Sequence, residues 1–190
     1  MTTLLVGLLL FFGVHSVSIV APAWRDGMAA RLGANPWKLI YSVASLAGFL
    51  LMISGYAALR FDPHIVYVPP AGLRHVAALL MLPVFPLLLA AYLPGRLQRA
   101  AKHPMLAAVK FWALAHLLAN GMLADVLLFG SFLVWAVADR ISLKRRLERV
   151  RPMAPAGAIN DVIAVLGGLA LYGAFIMGWH QRLFGVAPFA

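Results

Sequence analysis

Six stretches of the chain are apolar over lengths near the ~20 residues that a helix needs to cross ~30 Å of hydrocarbon. They run over Thr3–Ala21, Leu39–Leu59, Leu73–Leu93, Met105–Asn120, Met122–Ala138 and Ile159–Trp179. The fourth and fifth are short and nearly continuous, which predicts a tight helical hairpin turning at Asn120-Gly121. Pro83 and Pro86 predict a kink in the third, because proline donates no backbone hydrogen bond and crowds the preceding turn. Ala164, Gly168, Ala170, Ala174 and Gly178 predict a close-packing face on the sixth. Between the spans, Trp24 to Trp37 reads as an interfacial segment with the two indoles as headgroup anchors. The stretch Arg60–Pro70 reads as an irregular loop that folds over the outer end. Ala21-Pro22-Ala23 resembles a signal-peptide cleavage site, yet no basic residues precede the first apolar run, so that run is read as a retained helix.

Composition agrees with a membrane protein. Hydrophobic residues make up 63% of the 190, charged residues 12%, and mean hydropathy is +0.89. Globular domains carry about 45–50% apolar residues. Sixteen Lys and Arg against six Asp and Glu give a net charge of +10, but the cations lie between apolar runs rather than along a recognition element, which argues against nucleic acid. Their distribution instead gives an orientation. One side holds twelve: Arg25, Arg31, Lys38, Arg96, Arg99, Lys102, Arg140, Lys144, Arg145, Arg146, Arg149 and Arg151. The other holds three, Arg60, Arg74 and Arg182, while Lys110 lies within a span and can snorkel to the interface. The bias puts both termini outside the cytoplasm. With no cysteine, thiolate metal sites, iron–sulfur clusters, Cys nucleophiles and covalent haem attachment are excluded.

Ionisable residues inside spans are expensive, and each one is a functional hypothesis by default. His15 lies about 18 Å along the first helix from its outer end, and His116 about 7 Å from the outer end of the fourth. Trp112, Ala113, His116 and Asn120 share one helix face, and His103 falls on nearly the opposite one. Two neutral imidazoles from different helices in an apolar interior suit a porphyrin, whose commonest axial nitrogen ligand is imidazole. The pattern alone leaves hydrogen bonding between helices, a proton relay and another metal open as well. Zinc fits less well, since no carboxylate sits near either histidine and no His-x-x-x-His pair occurs. Asp125 is the one carboxylate expected inside a span, so paired-carboxylate catalysis has no partner. Asp139-Arg140 and the basic run to Arg151 read first as a cytoplasmic anchor and second as an anion or cofactor contact.

Phe12-Gly13-Val14-His15-Ser16, Lys102-His103-Pro104-Met105-Leu106, the block from Trp112 to Gly121 and Ala138-Asp139-Arg140 together resemble the NnrU family of bacterial membrane proteins. The resemblance spans essentially the whole chain and implies a link to denitrification and nitric oxide metabolism. The same domain is similar to the 15-cis-zeta-carotene isomerase of plants and cyanobacteria, a membrane haem b enzyme with two histidine axial ligands. The second ligand's motif falls on Trp112-Ala113-Leu114-Ala115-His116, and the first ligand falls on His15. Ala113 stands where that motif has a cysteine, so no thiolate is available to switch onto the iron. Lys102-His103-Pro104 also looks like the Arg-His-Pro motif of isoprenylcysteine carboxyl methyltransferases, but Asp139 has no glutamate pair beside it to hold S-adenosylmethionine.

These readings combine into one expectation: an all-α polytopic bundle of about six helices, forming a single domain over 1–190 in the bacterial inner membrane, with both termini on the non-cytoplasmic side. Haem b would be ligated by His15 and His116, with Trp112 and Asn120 lining the site, His103 at the cytoplasmic mouth and Arg74 as a propionate partner. Such a haem implies electron transfer or redox-gated chemistry with a redox partner protein or a lipid-phase molecule such as a polyene. Isomerase-like, methyltransferase and reductase-assembly roles stand as alternatives.

Overall fold

The structure is a computed structural model that describes residues 1–146 and 152–188; Arg149 and Arg151 of the basic run lie outside the described residues. The described residues are helical, with no strand among them. The helices are α1 (Thr2–Val20), α2 (Pro22–Leu32), α3 (Ala34–Leu59), α4 (Leu73–Met81), α5 (Val84–Ala90), α6 (Arg96–Ala101), α7 (Pro104–Ala119), α8 (Leu123–Ser142) and α9 (Ile159–Phe184). Four stretches are long and apolar enough to cross a membrane: α1, α3, Leu73–Ala90 and α9. The apolar helix α7 is shorter, at 16 residues, and the 20-residue α8 carries Asp125, Asp139 and Arg140. Large apolar side chains point outward from these helices, among them Leu39, Leu79, Val134 and Leu166. In water such surface would drive aggregation; in lipid it is the ordinary exterior.

The chain forms two compact units, Met1–Tyr67 with Met122–Leu147, and Val68–Gly121 with Glu148–Ala190. The first is built on α1 and α3, which run antiparallel with backbones nearly touching. A Cβ on Gly55 would lie 2.4 Å from the Leu4 backbone nitrogen, one on Gly7 2.5 Å from that of Met52, and one on Gly48 2.7 Å from that of Phe11. Only glycine allows that approach, which maximises dispersion contacts where lipid supplies no hydrophobic drive between helices. Leu4, Leu8, Met52 and Ala124 form the buried centre, flanked by Phe11, Phe12, Tyr56 and Phe132.

A buried carboxylate joins α3 to α8. Asp125 is fully buried, and its two oxygens accept from the Tyr56 hydroxyl at 2.6 Å and from the Met122 N–H at 2.9 Å. The loop after α3 is irregular, as predicted, and is tied to the start of α8 by an Ile65–Met122 bridge and a Leu123 N–H bond to the His64 carbonyl. Trp24 and Trp37 meet edge to face at 6.1 Å, and the Arg25 guanidinium lies 5.5 Å from the Trp37 ring centre. The expected aromatic anchors therefore form one cation-capped cluster.

In the second unit the predicted proline kink interrupts the helical hydrogen bonding at Leu82 and Pro83, both of which keep right-handed helical backbone. The third apolar run divides into α4 and α5 around Leu82-Pro83. Val84, Leu87 and Ala108 form the buried centre, with Met81, Leu97 and Trp112 packed on it. Pro86 presses on Gly168, where a Cβ would come within 2.3 Å of the proline nitrogen. At the start of α9 the Asp161 carboxylate accepts the Arg96 and Leu97 N–H groups that open α6, and the Asn160 amide donates to the carbonyls of Pro94 and Pro155. Of the small residues predicted to share a packing face on α9, Ala164 and Gly168 are buried and Ala170 is exposed. Two π-helical turns, Ile163–Gly167 and Phe175–Trp179, advance the phase, and Gly178 departs from helical geometry at φ 127°. A four-residue spacing cannot stay on one face through such turns.

The antiparallel glycine contact is directly testable. Gly55→Ala should lower stability by about 1–3 kcal/mol, because the new methyl meets backbone rather than a movable side chain. Gly13→Ala has nothing within 4 Å of its new Cβ and should leave stability unchanged or slightly raised. Thermal melts of both variants in mild detergent check this; equal midpoints would contradict the close approach.

Candidate functional site

His15 lies three-quarters of the way along α1, one turn beyond Phe11, whose backbone nitrogen abuts Gly48. Its ring stacks on Phe11 at 4.0 Å and meets Tyr41 at 5.2 Å and the edge of Trp135 at 5.8 Å. Phe12 and Phe132 extend this aromatic niche. The imidazole Nδ1 lies 2.7 Å from the Phe11 carbonyl oxygen. A carbonyl can only accept, so Nδ1 carries the proton and, in the neutral ring, Nε2 bears the lone pair. That is how a metal-binding histidine is commonly prepared, with one nitrogen held by the backbone and the other left as donor to the metal. Beside it, the indole N–H of Trp135 is buried with no hydrogen-bond partner among the described residues. A buried unpaired donor invites a ligand acceptor.

His116, in the second unit, is prepared the same way. Its Nδ1 lies 2.9 Å from the Trp112 carbonyl oxygen, one helical turn back, and the Trp112 ring stands 5.2 Å away. Asn120 ends α7: its backbone and side-chain amides both donate to the His116 carbonyl at 2.9 Å. It therefore fixes the backbone of the helix end that carries the imidazole. His180, near the end of α9, is half-buried and lies near-parallel to His116 with ring centres 6.4 Å apart. Its Nδ1 is bound at 2.6 Å to the Val186 carbonyl oxygen. Sequence spacing could not reveal this neighbour, because the two residues are 64 positions apart and meet only through the fold; its one local signal was a histidine near the end of an apolar run.

His103 is the residue at which α7 begins, ahead of Pro104. Lys102 before it has φ 58° and ψ −50°, and the His103 N–H reaches back to the Ala101 carbonyl at 2.6 Å, forming a classic γ-turn. That conformation is rare and strained for a residue with a side chain. Arg74 lies in the first turn of α4. The second unit thus contains Trp112, His116, Asn120, His103 and Arg74, and the first contains His15. Within its unit His116 is joined by Trp112, Asn120 and His180.

Asp139, read from sequence as part of an anchor, is ion-paired with Arg146, whose guanidinium also donates to the Ser18 carbonyl at 3.2 Å. Among the described residues no three His, Asp or Glu side chains gather into a metal cage. The donors on offer are imidazole nitrogens set among aromatic rings, His15 by itself and His116 beside His180. This suits a large flat group carrying its own metal, which needs only axial donors from the protein.

Residues 3–188 match the family model described as NnrU protein. No curated protein and no solved structure matches the chain significantly.

The hydrogen bonds to the Phe11, Trp112 and Val186 carbonyls predict the Nδ1–H tautomer for His15, His116 and His180. Nitrogen-15 spectra of histidine-labelled protein in lipid distinguish this form from the Nε2–H form usual in water. A protonated Nε2 on neutral His15 would show that its bond to Phe11 is absent.

Proposed function

The chain belongs to the NnrU family, and on that premise we propose that it is a haem b-binding membrane protein in which His15 and His116 would hold the haem. The observation that carries this reading is the shared preparation of the two imidazoles. Each sits on an apolar helix, and each has Nδ1–H committed to the carbonyl one turn earlier, which directs Nε2 to act as the ligand.

The aromatic rings around His15 provide the apolar surroundings a porphyrin requires, and the unpaired Trp135 N–H offers a donor to a polar group at its edge. Trp112 orients His116 through its carbonyl and covers one side of the ring, while Asn120 holds the helix end in place. His103 would act at the cytoplasmic mouth, and Arg74 would neutralise a propionate. Bound haem supplies a one-electron couple. Were such a group held by both His15 and His116, binding of a gas or substrate would require one of the two histidines to let go. The fitting role is thus electron transfer, or chemistry gated by release of a ligand, in support of denitrification and nitric oxide metabolism.

The same proposal extends to topology. Six spans would form in the bacterial inner membrane, with α7 and α8 completing the four longer apolar stretches and both termini outside the cytoplasm. The twelve-to-three division of Lys and Arg supports this arrangement.

Full-length protein purified in mild detergent from haem-replete cells should show a Soret band and, after dithionite, sharp α and β bands, with a pyridine haemochrome of the b type. His15→Ala and His116→Ala should each abolish the six-coordinate spectrum, and His180→Ala should retain it. A colourless protein overturns the proposal. A spectrum that survives His15→Ala and fails in His180→Ala reassigns the ligand pair to His116 and His180.

A further inference from the structure

The end of the first unit at which α1 and α8 finish carries a feature with no part in the haem reading. A cleft of about 290 Å³ opens there. Its walls combine polar residues, Ser142, Arg145 and Arg146, with apolar ones that include Ile19, Pro22 and Ile141.

The cationic side is only partly neutralised. Arg146 is held at two corners, by Asp139 and by the Ser18 carbonyl, which fixes the plane of its guanidinium. Its Nε is buried and has no hydrogen-bond partner among the described residues. Arg145 is exposed and makes no ion pair among the described residues. Pro22, in the cleft wall, is the first residue of α2, and no side chain caps that eleven-residue helix. The positive end of its dipole adds to the two guanidinium groups and is opposed by the negative C-terminal ends of α1 and α8, which finish at the same place. Among the described residues, Asp26 is paired with Arg25 and Asp139 with Arg146.

Depth and apolar lining decide the occupant. The Trp24–Trp37 pair and the Arg25 stacked on it belong to the same unit and are of the kind that settles at headgroup level. Ile19 and Ile141 offer surface to a hydrocarbon chain, for which a free phosphate has no use and an acidic peptide little. We propose that this cleft binds the phosphate of an anionic glycerophospholipid, with Arg145 and Arg146 on the phosphate oxygens and an acyl chain along Ile19 and Ile141. Basic pockets between membrane helices serve lipid headgroups in just this way.

The test uses full-length protein, delipidated in neutral detergent, with phosphatidylglycerol, phosphatidylcholine or inorganic phosphate added. Lipid retention by native mass spectrometry and the melting midpoint are the readouts. Phosphatidylglycerol should be retained and should raise the midpoint, while the other two should do neither. Arg145→Gln, which alters an exposed side chain, should weaken phosphatidylglycerol retention about tenfold, as expected for one lost charge-assisted contact. Arg145→Lys should fall between, keeping the charge but losing the fork. Arg31→Gln removes the same charge from α2 outside the cleft and should change nothing. Two results overturn the proposal: equal losses in Arg145→Gln and Arg31→Gln, which would mean diffuse attraction, and equal stabilisation by inorganic phosphate, which would mean an anion site without lipid. If Arg145→Gln melts early without lipid, the comparison of Arg145→Lys with Arg31→Gln decides alone.

Discussion

The backbone contact between α1 and α3 governs the first unit. In lipid, two apolar helices gain nothing by hiding from their surroundings, so they associate by fitting closely or by sharing polar groups. Gly7, Gly48 and Gly55 let α1 and α3 fit at backbone distance, and that fixes the register of everything further along. Phe11 comes to lie on Gly48, and the next turn of α1 presents His15 toward Tyr41 of the same partner helix. The imidazole's aromatic surroundings are thus a consequence of glycine contacts about one to three turns away.

Polar side chains supply the second kind of glue, and each acts across elements. Asp125 joins α8 to Tyr56 of α3, Asp139 and Arg146 carry the end of α8 back to α1, and Asp161 with Asn160 holds the start of α9 to the beginning of α6. Each acceptor is matched by donors, as a medium without water demands. Against that background the exceptions carry weight. Among the described residues three buried polar atoms have no hydrogen-bond partner, Ser45 Oγ, Trp135 Nε1 and Arg146 Nε; the last two lie beside the two places where a bound group has been inferred.

The histidines show what a local pattern conveys and what it hides. His15 and His116 were legible as candidates because an ionisable residue within an apolar run is conspicuous. Their Nδ1 bonds follow from helix geometry, since the carbonyl four residues back is the nearest acceptor. His180 stood near the end of a run with nothing to distinguish it from a surface residue. The small-residue face of α9 was only half legible, because its π turns and the departure at Gly178 depend on how Pro86 and the rest of the second unit pack against it.

By itself the sequence determined the membrane character, the positions of the apolar helices, the kink at Pro83, the tryptophan anchors and the imidazoles set in apolar runs. All of these depend on residue type over a few neighbouring positions, through hydropathy, proline's missing donor and the helical period. Tertiary structure alone decided which glycines became contact points, that Arg146 reaches the Ser18 carbonyl, that His180 lies beside His116, and that arginines and isoleucines close around one cleft. Those outcomes depend on which helices meet and at what depth, and no short stretch of the chain records it.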